Sequence, residues 1–135
     1  MKRIHCAGLI TLKDRKLLLA FSKNKQAYYL PGGKVDVHET AVEALIREVK
    51  EELDIILHKD DLQFYCHITA PAFGEANGLI MEQDCFMCEL KEAPKPTAEI
   101  LKVEYFDEAT YKEQEHLVPG VMVAFEQLRK DKFID

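Results

Sequence analysis

The sequence predicts a layered α/β domain, because two helical segments are set among several strand-like segments. Apolar residues recur at three- and four-residue steps from Thr40 to Leu53 and again from Val121 to Phe133, which is the pattern of amphipathic helices. Strands mixed with two helices on a chain of 135 residues pack most readily as layers of helix and sheet.

Most of the remaining chain reads as strands. The five predicted strands are Ile4 to Leu12, Lys16 to Ser22, Leu62 to Phe73, Leu79 to Leu90 and Ile100 to Phe106. The charged turn Lys13-Asp14-Arg15 joins the first two as a hairpin. Glu75-Ala76-Asn77-Gly78 joins the next two, and Asn-Gly is a strong signal for a tight hairpin turn. The terminal helix follows Pro119-Gly120.

Length and composition predict a single domain over residues 1–135. With 47% hydrophobic residues the chain can bury one core, and no linker-like segment divides it. The N-terminus lacks the pattern of a signal peptide and no apolar run is long enough for a membrane span, so a cytoplasmic location is expected. The net charge of -6 argues against a broad nucleic-acid surface and leaves a small phosphorylated substrate as the expected partner. Either a monomer or a homodimer is compatible with the sequence.

The most informative segment runs from Gly33 to Ile55. The helix predicted within it starts at Thr40, because Thr40 followed by Glu43 forms a capping box, and Gly33 to His38 is expected to be a loop over its first turns. The helical repeat places Glu48, Glu51 and Glu52 within one arc beside the apolar face. Three like charges so close repel one another, and Mg²⁺ or Mn²⁺ shared with substrate phosphates is the usual reason to tolerate them.

The same segment resembles the signature of the Nudix hydrolases, G-x5-E-x7-R-E-U-x-E-E-x-G-U, where U is aliphatic. The matching residues are Gly33, Glu39, Arg47, Glu48, Val49, Glu51, Glu52 and Ile55. The departure is Asp54 in place of the last glycine, and Asp is among the residues that tolerate the left-handed conformation expected there. The resemblance implies a Nudix-type α/β/α sandwich around a mixed sheet. It also implies hydrolysis of a nucleoside diphosphate linked to another group, through attack of water on a phosphorus of the pyrophosphate bridge.

The resemblance implies roles for the signature residues. Glu51 and Glu52 would hold the metal, with the Gly33 carbonyl and Glu48 completing its shell. Arg47 is expected to clamp a carboxylate, either Glu39 or Glu48, since a planar guanidinium can grip a carboxylate in two places. In some family members a glutamate of the signature, here Glu48, activates the water. In others a later glutamate does so, for which Glu99 is the candidate, with Glu82 and Asp84 as weaker alternatives.

The substrate is the least determined part of the prediction. Lys34, Tyr29 and Glu39 are candidates for substrate contacts, and Tyr28 and Phe73 are aromatic residues that could stack on a base or pack in the core. A nucleoside triphosphate or related nucleotide is the leading substrate. The alternative is a nucleotide- or diphosphate-binding regulator, or a diphosphate isomerase, on the same fold.

Cysteine and histidine residues give weaker signals. Cys85 and Cys88 have a C-x-x-C spacing but fall in a predicted strand, where residues three apart face opposite sides, so reduced and buried thiols are expected rather than a zinc site. His5, His58 and His67 have no clustered partner in the sequence and are expected to be packing or surface residues. His38, beside Glu39, is the histidine most worth testing.

Overall fold

The computed structural model describes residues 2–75 and 78–135. Its strands are β1 (Arg3–Ile10), β2 (Leu12–Lys13), β3 (Lys16–Ser22), β4 (Ala27–Tyr29), β5 (Gly32–Lys34), β6 (Gln63–Pro71), β7 (Ile80–Met87) and β8 (Ile100–Phe106). Its helices are α1 (Ala41–Leu53), α2 (Glu108–Tyr111) and α3 (Pro119–Lys130), with a 3-10 turn at Lys59–Asp61. In the turn predicted between β6 and β7, Ala76 and Asn77 lie outside the described residues.

The first sheet is mixed, as predicted. Its strand order is β5-β1-β7-β6, with β1 and β7 parallel and both outer pairs antiparallel. The predicted strand Leu79 to Leu90 is too long, because β7 ends at Met87. The predicted strand Ile4 to Leu12 is also divided, since Thr11 donates its hydroxyl to the Cys88 carbonyl at 2.8 Å and the chain then leaves this sheet.

After Thr11 the chain enters a second sheet, in which all strand pairs are antiparallel. Strand β3 pairs with β2, β4 and β8. Asp14 and Arg15 both have positive φ, at 52° and 61°, and form the two-residue hairpin turn between β2 and β3. Strands β4 and β5 flank Pro31 and have three residues each, too short to leave a period-2 pattern.

Helix α1 follows the predicted limits. Thr40 caps it and Glu43 returns the hydrogen bond, so the capping box is confirmed, and Asp54 ends the helix at φ 55°, as expected for a left-handed terminus. The loop predicted from Gly33 to His38 is wrong in its first part, because Gly32–Lys34 pairs with β1 as a strand. Helix α3 begins two residues earlier than predicted, since proline fits the first turn of a helix, and it ends at Lys130.

The two longer helices cover opposite faces of the first sheet. Helix α1 contacts β1 and β5, and α3 contacts β6. Ala7 and Leu9 pack with the α1 residues Leu45 and Val49, whereas the other face packs against α3 through residues such as Ile68. This is the expected α/β/α sandwich, and it leaves a cleft on the α3 side of β1 and β7.

Candidate functional site

Arg47 grips two carboxylates from one position on α1. Its Nε and Nη2 donate to the two oxygens of Glu39 at 2.7 and 2.8 Å, and its Nη1 donates to Glu48 at 2.7 Å. The same guanidinium donates to the Lys34 carbonyl at 3.1 Å. The predicted pairing of Arg47 is therefore present with both carboxylates. All these hydrogen bonds come from one planar guanidinium group. Arg47 therefore fixes the positions of the loop before α1, the helix and strand β5 relative to one another.

The charge of Arg47 changes the titration of Glu39. The two hydrogen bonds from Arg47, helped by the Asp36 N–H, lower the pKa of Glu39 to about 2. Glu39 is therefore ionised throughout the neutral range, and both its oxygens accept from Arg47. It does not line the cleft described below.

Two glycines bring strand β5 against the carboxylates of α1. A Cβ at Gly33 would lie 2.5 Å from the Glu48 carboxyl, and a Cβ at Gly32 would lie 2.0 Å from the Ala7 carbonyl oxygen. Gly32 has a φ of 138°, and its N–H donates to Glu52 at 3.0 Å. Glycine is required at both positions because the backbone itself approaches its neighbours this closely.

Glu52 is a buried carboxylate with an incomplete set of partners. Its side chain faces the cleft from the end of α1, and the residue is 7% exposed. Burial, reinforced by the charges of Glu48, Glu99 and Glu51, raises the pKa of Glu52 to about 8, although the Gly32 N–H opposes the shift. Burial also raises the pKa of Glu48, against the opposing effect of Arg47. The local surplus of negative charge favours a bound cation.

Glu99 is brought to this cluster by the loop that follows β7. Thr97 donates its N–H to the Glu52 carbonyl at 2.9 Å and its hydroxyl to the Glu51 carbonyl, while the Lys95 N–H bonds to the Leu53 carbonyl at 2.9 Å. These bonds satisfy carbonyls that the last turn of a helix leaves free. Beyond them, the Glu99 carboxylate accepts from the Asn24 amide at 2.6 Å and lines the same cleft as Glu52.

The cleft has charged and aromatic walls and encloses about 170 Å³. The predicted residues Gly33, Lys34, Tyr29, Glu52 and Glu99 line it, whereas Glu48 and Glu51 do not. Tyr29 donates its hydroxyl to the Phe73 carbonyl at 3.1 Å. The adjacent Tyr28 is a core residue, 3% exposed and packed edge-on against Phe106.

The donor set fits a hard divalent cation, although the side chains are not preassembled around one. Within residues 2–75 and 78–135, no three acidic, histidine or cysteine side chains already converge closely enough to hold a metal. Glu52 accepts one hydrogen bond in the described part of the chain, whereas an ionised carboxylate has about four lone-pair sites. Mg²⁺ typically takes one or two protein carboxylates and completes its shell with water and substrate phosphate, so the arrangement suits it.

His5, His58 and His67 are exposed, as predicted, but His5 and His67 have carboxylate partners on β7. His67 was expected to have no clustered partner, but it contacts Asp84 at 2.7 Å and Glu82 at 2.6 Å, and His5 contacts Asp84 at 3.0 Å. Glu82 and Asp84 face away from the cleft, because they alternate along β7 with the cleft residues Met81 and Gln83. Neither is therefore placed to act as the base.

The four cysteines are free thiols. Cys85 packs in the cluster on the α3 side of the first sheet and Cys88 in the cluster on the α1 side. The C-x-x-C pair thus faces opposite sides, as predicted. The described helices are also too short or too polar to span a membrane.

Comparison with known proteins identifies the family. Residues 1–124 match the NUDIX domain family. The chain belongs to the Nudix family. A stretch of the chain is similar to the ADP-ribose pyrophosphatase of Methanocaldococcus jannaschii, with 49% identity over 47 residues, and this match covers 33% of the chain and 28% of that relative.

Solved structures agree with the Nudix fold. A MutT NUDIX hydrolase from Burkholderia pseudomallei superposes with a TM-score of 0.74 at 22% identity, over 95% of this chain and 99% of that one. A bifunctional NMN adenylyltransferase/ADP ribose pyrophosphatase from Francisella tularensis was solved with AMP and a Mn ion. It superposes with a TM-score of 0.70 at 18% identity, over 95% of this chain and 42% of that one.

Gln83 is among the cleft residues that were not singled out from the sequence. Gln83 is 8% exposed, on the inner face of β7. The sequence does contain a sign of it: Gln83 is a polar residue between Met81 and Cys85 at the inward-facing positions of a strand.

Proposed function

We propose that this Nudix protein is a divalent-metal-dependent hydrolase that cleaves the pyrophosphate linkage of a nucleoside diphosphate linked to another group. A nucleoside triphosphate or related nucleotide is the leading substrate class. The observation that carries this proposal is the buried, under-coordinated Glu52 carboxylate facing a cleft beside Gly32–Lys34. Binding alone would not require the excess of carboxylates that surrounds it.

In this proposal Glu51, Glu52, Glu48 and the Gly33 carbonyl would hold Mg²⁺ or Mn²⁺. When bound, such an ion would neutralise charge that develops on the phosphoryl oxygens. Arg47 is a positioning residue, since it fixes Glu48 and Glu39 by hydrogen bonds. It would keep the Glu48 carboxylate against strand β5, where the diphosphate is expected to lie.

Two carboxylates are candidates for the base that takes the proton of the attacking water. Glu48 belongs to the clamped cluster, but it does not line the cleft and one of its oxygens accepts from Arg47. Glu99 lines the cleft together with the Gly32–Lys34 strand and is positioned by Asn24. Lys34 also lines the cleft, and its ammonium group, 3.7 Å from Glu75, is available to contact a phosphate there.

The test is a hydrolysis screen with purified protein and Mg²⁺ or Mn²⁺, in which the products are separated by chromatography, because cleavage of the pyrophosphate bridge yields a nucleoside monophosphate with pyrophosphate or a sugar phosphate rather than free phosphate. The panel contains the four ribonucleoside triphosphates, dinucleoside polyphosphates, nucleotide sugars and ADP-ribose, which is included because of the Methanocaldococcus jannaschii relative. We expect metal-dependent turnover of at least one substrate, and loss of that turnover in Glu52→Gln. Absence of turnover across the panel would contradict the proposal and favour a binding regulator. Isomerisation of a diphosphate substrate, detected by NMR, would favour the isomerase alternative.

A further inference from the structure

The side chain of Gln83 is a buried amide directed into the cleft. The residue is 8% exposed, and it lines the cleft together with Glu52. Its one side-chain hydrogen bond among the described residues is weak, a contact of 3.9 Å from the Cys85 thiol to Oε1. No fully buried side-chain nitrogen or oxygen among the described residues lacks a partner, so the rest of the amide is reached by water from the cleft, and a ligand that displaces this water must replace its hydrogen bonds.

The sheet places Gln83 close enough to the proposed diphosphate site for one ligand to contact both. Gln83 in β7 is in register with Cys6 in β1, and Cys6 is in register with Lys34 in β5. Two strand spacings, roughly 10 Å, therefore separate the backbone of Gln83 from the Gly32–Lys34 strand, and its side chain extends toward β1, where a Cβ at Gly8 would lie 2.8 Å from Nε2. One extended ligand can contact β5 with its phosphates and Gln83 with the group at its other end.

Apolar side chains line the cleft beside its charged residues, and the fold leaves space for the Gln83 amide. Ile4, Met81 and Phe73 line the same cleft. Gly8 leaves room beside the amide, since a Cβ there would lie 2.8 Å from Nε2. Apolar side chains next to a hydrogen-bonding group are typical of a specificity site, because the apolar side chains bind any flat ring and the polar group selects among rings.

We propose that Gln83 is a specificity-determining residue, whose amide recognises the nucleobase by hydrogen bonds while the diphosphate lies at β5. This inference rests on the proposed function for the placement of the phosphates. The amide offers one acceptor and two donors, so it matches a base edge that presents a donor and an acceptor side by side. A base without that pattern at the same position would leave the amide unpaired and bind more weakly.

The first arm of the test compares Gln83→Met with Gln63→Met. Methionine keeps an unbranched side chain of similar volume without the amide, and Gln63 is exposed at the start of β6, away from the cleft. Turnover of ATP, GTP, CTP and UTP is measured for each protein. We expect Gln83→Met to raise KM for the preferred nucleotide by roughly 10-fold or more, with little change in kcat. The variant should also show smaller differences in KM among the four nucleotides than the wild type does. Gln63→Met should behave as the wild type. An unchanged ranking in Gln83→Met would overturn the proposal.

The second arm needs neither turnover nor a folded variant. Adenosine, guanosine, cytidine and uridine are titrated separately into the isotope-labelled wild type, and the Gln83 side-chain NH₂ resonance is followed by NMR. We expect one nucleoside to shift this resonance at a lower concentration than the other three. If none of them moves it, the assignment of Gln83 is wrong. A selective shift in a protein that lacks all turnover would support Gln83 while contradicting the proposed hydrolase.

Discussion

The Glu48 carboxyl group lies directly over the Cα of Gly33, close enough that a single added Cβ would come within 2.5 Å of it. Glu48 cannot simply turn away, because Arg47 holds its Oε1 at 2.7 Å and grips Glu39 at the same time. The first glycine of the Nudix segment is thus required for steric reasons: only glycine at position 33 leaves space for the Glu48 carboxylate to rest against strand β5.

Gly33→Ala should therefore damage activity more than stability. The new methyl group would displace the clamped Glu48 carboxylate, and we expect kcat to fall by roughly 10-fold or more, since catalysis is sensitive to small misplacements. Gly32→Ala is the matched comparison. Its Cβ would meet the Ala7 backbone at 2.0 Å in a backbone conformation with φ 138°, so it should lower the thermal midpoint clearly. Steady-state kinetics and thermal unfolding of both variants would check this; equal losses of stability would contradict it.

The two candidate bases make opposite predictions. If Glu48 takes the proton from water, Glu48→Gln should lower kcat by ~10²-fold or more, and Glu99→Gln should have a much smaller effect. If Glu99 is the base, the order reverses. Pre-steady-state measurement of the chemical step separates these outcomes from slow product release. Small and similar losses of kcat in both variants would show that neither carboxylate is the base.

The raised pKa of Glu52 predicts an unusual pH dependence of stability in the absence of metal. The folded-state pKa is about 8, above the ordinary value of 4.5, so the folded protein retains this proton longer than the unfolded chain does. Its contribution to stability is therefore fully present below about pH 4.5 and is lost as the pH rises to about 8. Glu52→Gln removes the titrating group but keeps an oxygen for the Gly32 N–H.

Thermal unfolding in EDTA should accordingly show Glu52→Gln gaining stability over the wild type as the pH rises from 5 to 9. Added Mg²⁺ should then raise the midpoint of the wild type at pH 9 and leave that of the variant nearly unchanged, because ligand binding to the folded state stabilises it. A difference between the two proteins that is constant with pH would show that Glu52 titrates normally. Stabilisation of both by Mg²⁺ would place the ion elsewhere.

Local sequence was sufficient to predict α1, its capping box and the Arg47 pairing, because these contacts join residues within about two helical turns or an adjoining loop. The position of Glu99 depends instead on Thr97 and Lys95 bonding to the end of α1, more than forty positions earlier. Likewise, the contact between His67 and Asp84 requires the register of β6 on β7. Strand pairing is set by the whole core, so a period-2 pattern reveals which face a residue occupies but not which residue lies opposite.

Asp54 is the one departure from the family signature, and its substitution should affect stability slightly and activity not at all. It adopts a left-handed conformation, with φ 55° and ψ 41°, and its carboxylate pairs with Lys50 on the solvent side of α1. Asp54→Gly would relieve the steric strain, but it would lose an exposed ion pair of small value and make the unfolded chain more flexible. These effects oppose one another, so we expect a net change within about 1 kcal/mol.

Asp54→Ala is the informative control for that prediction, because alanine has the steric penalty of a Cβ in this conformation without the local hydrogen bonding of Asp. It should be destabilised by ~1 kcal/mol or more relative to Asp54→Gly. Chemical denaturation measures this order, and kcat/KM should be the same in all three proteins. A large loss of activity in Asp54→Gly with the fold intact would mean that the carboxylate acts on the metal or substrate, and that the departure from the signature marks a specialised site.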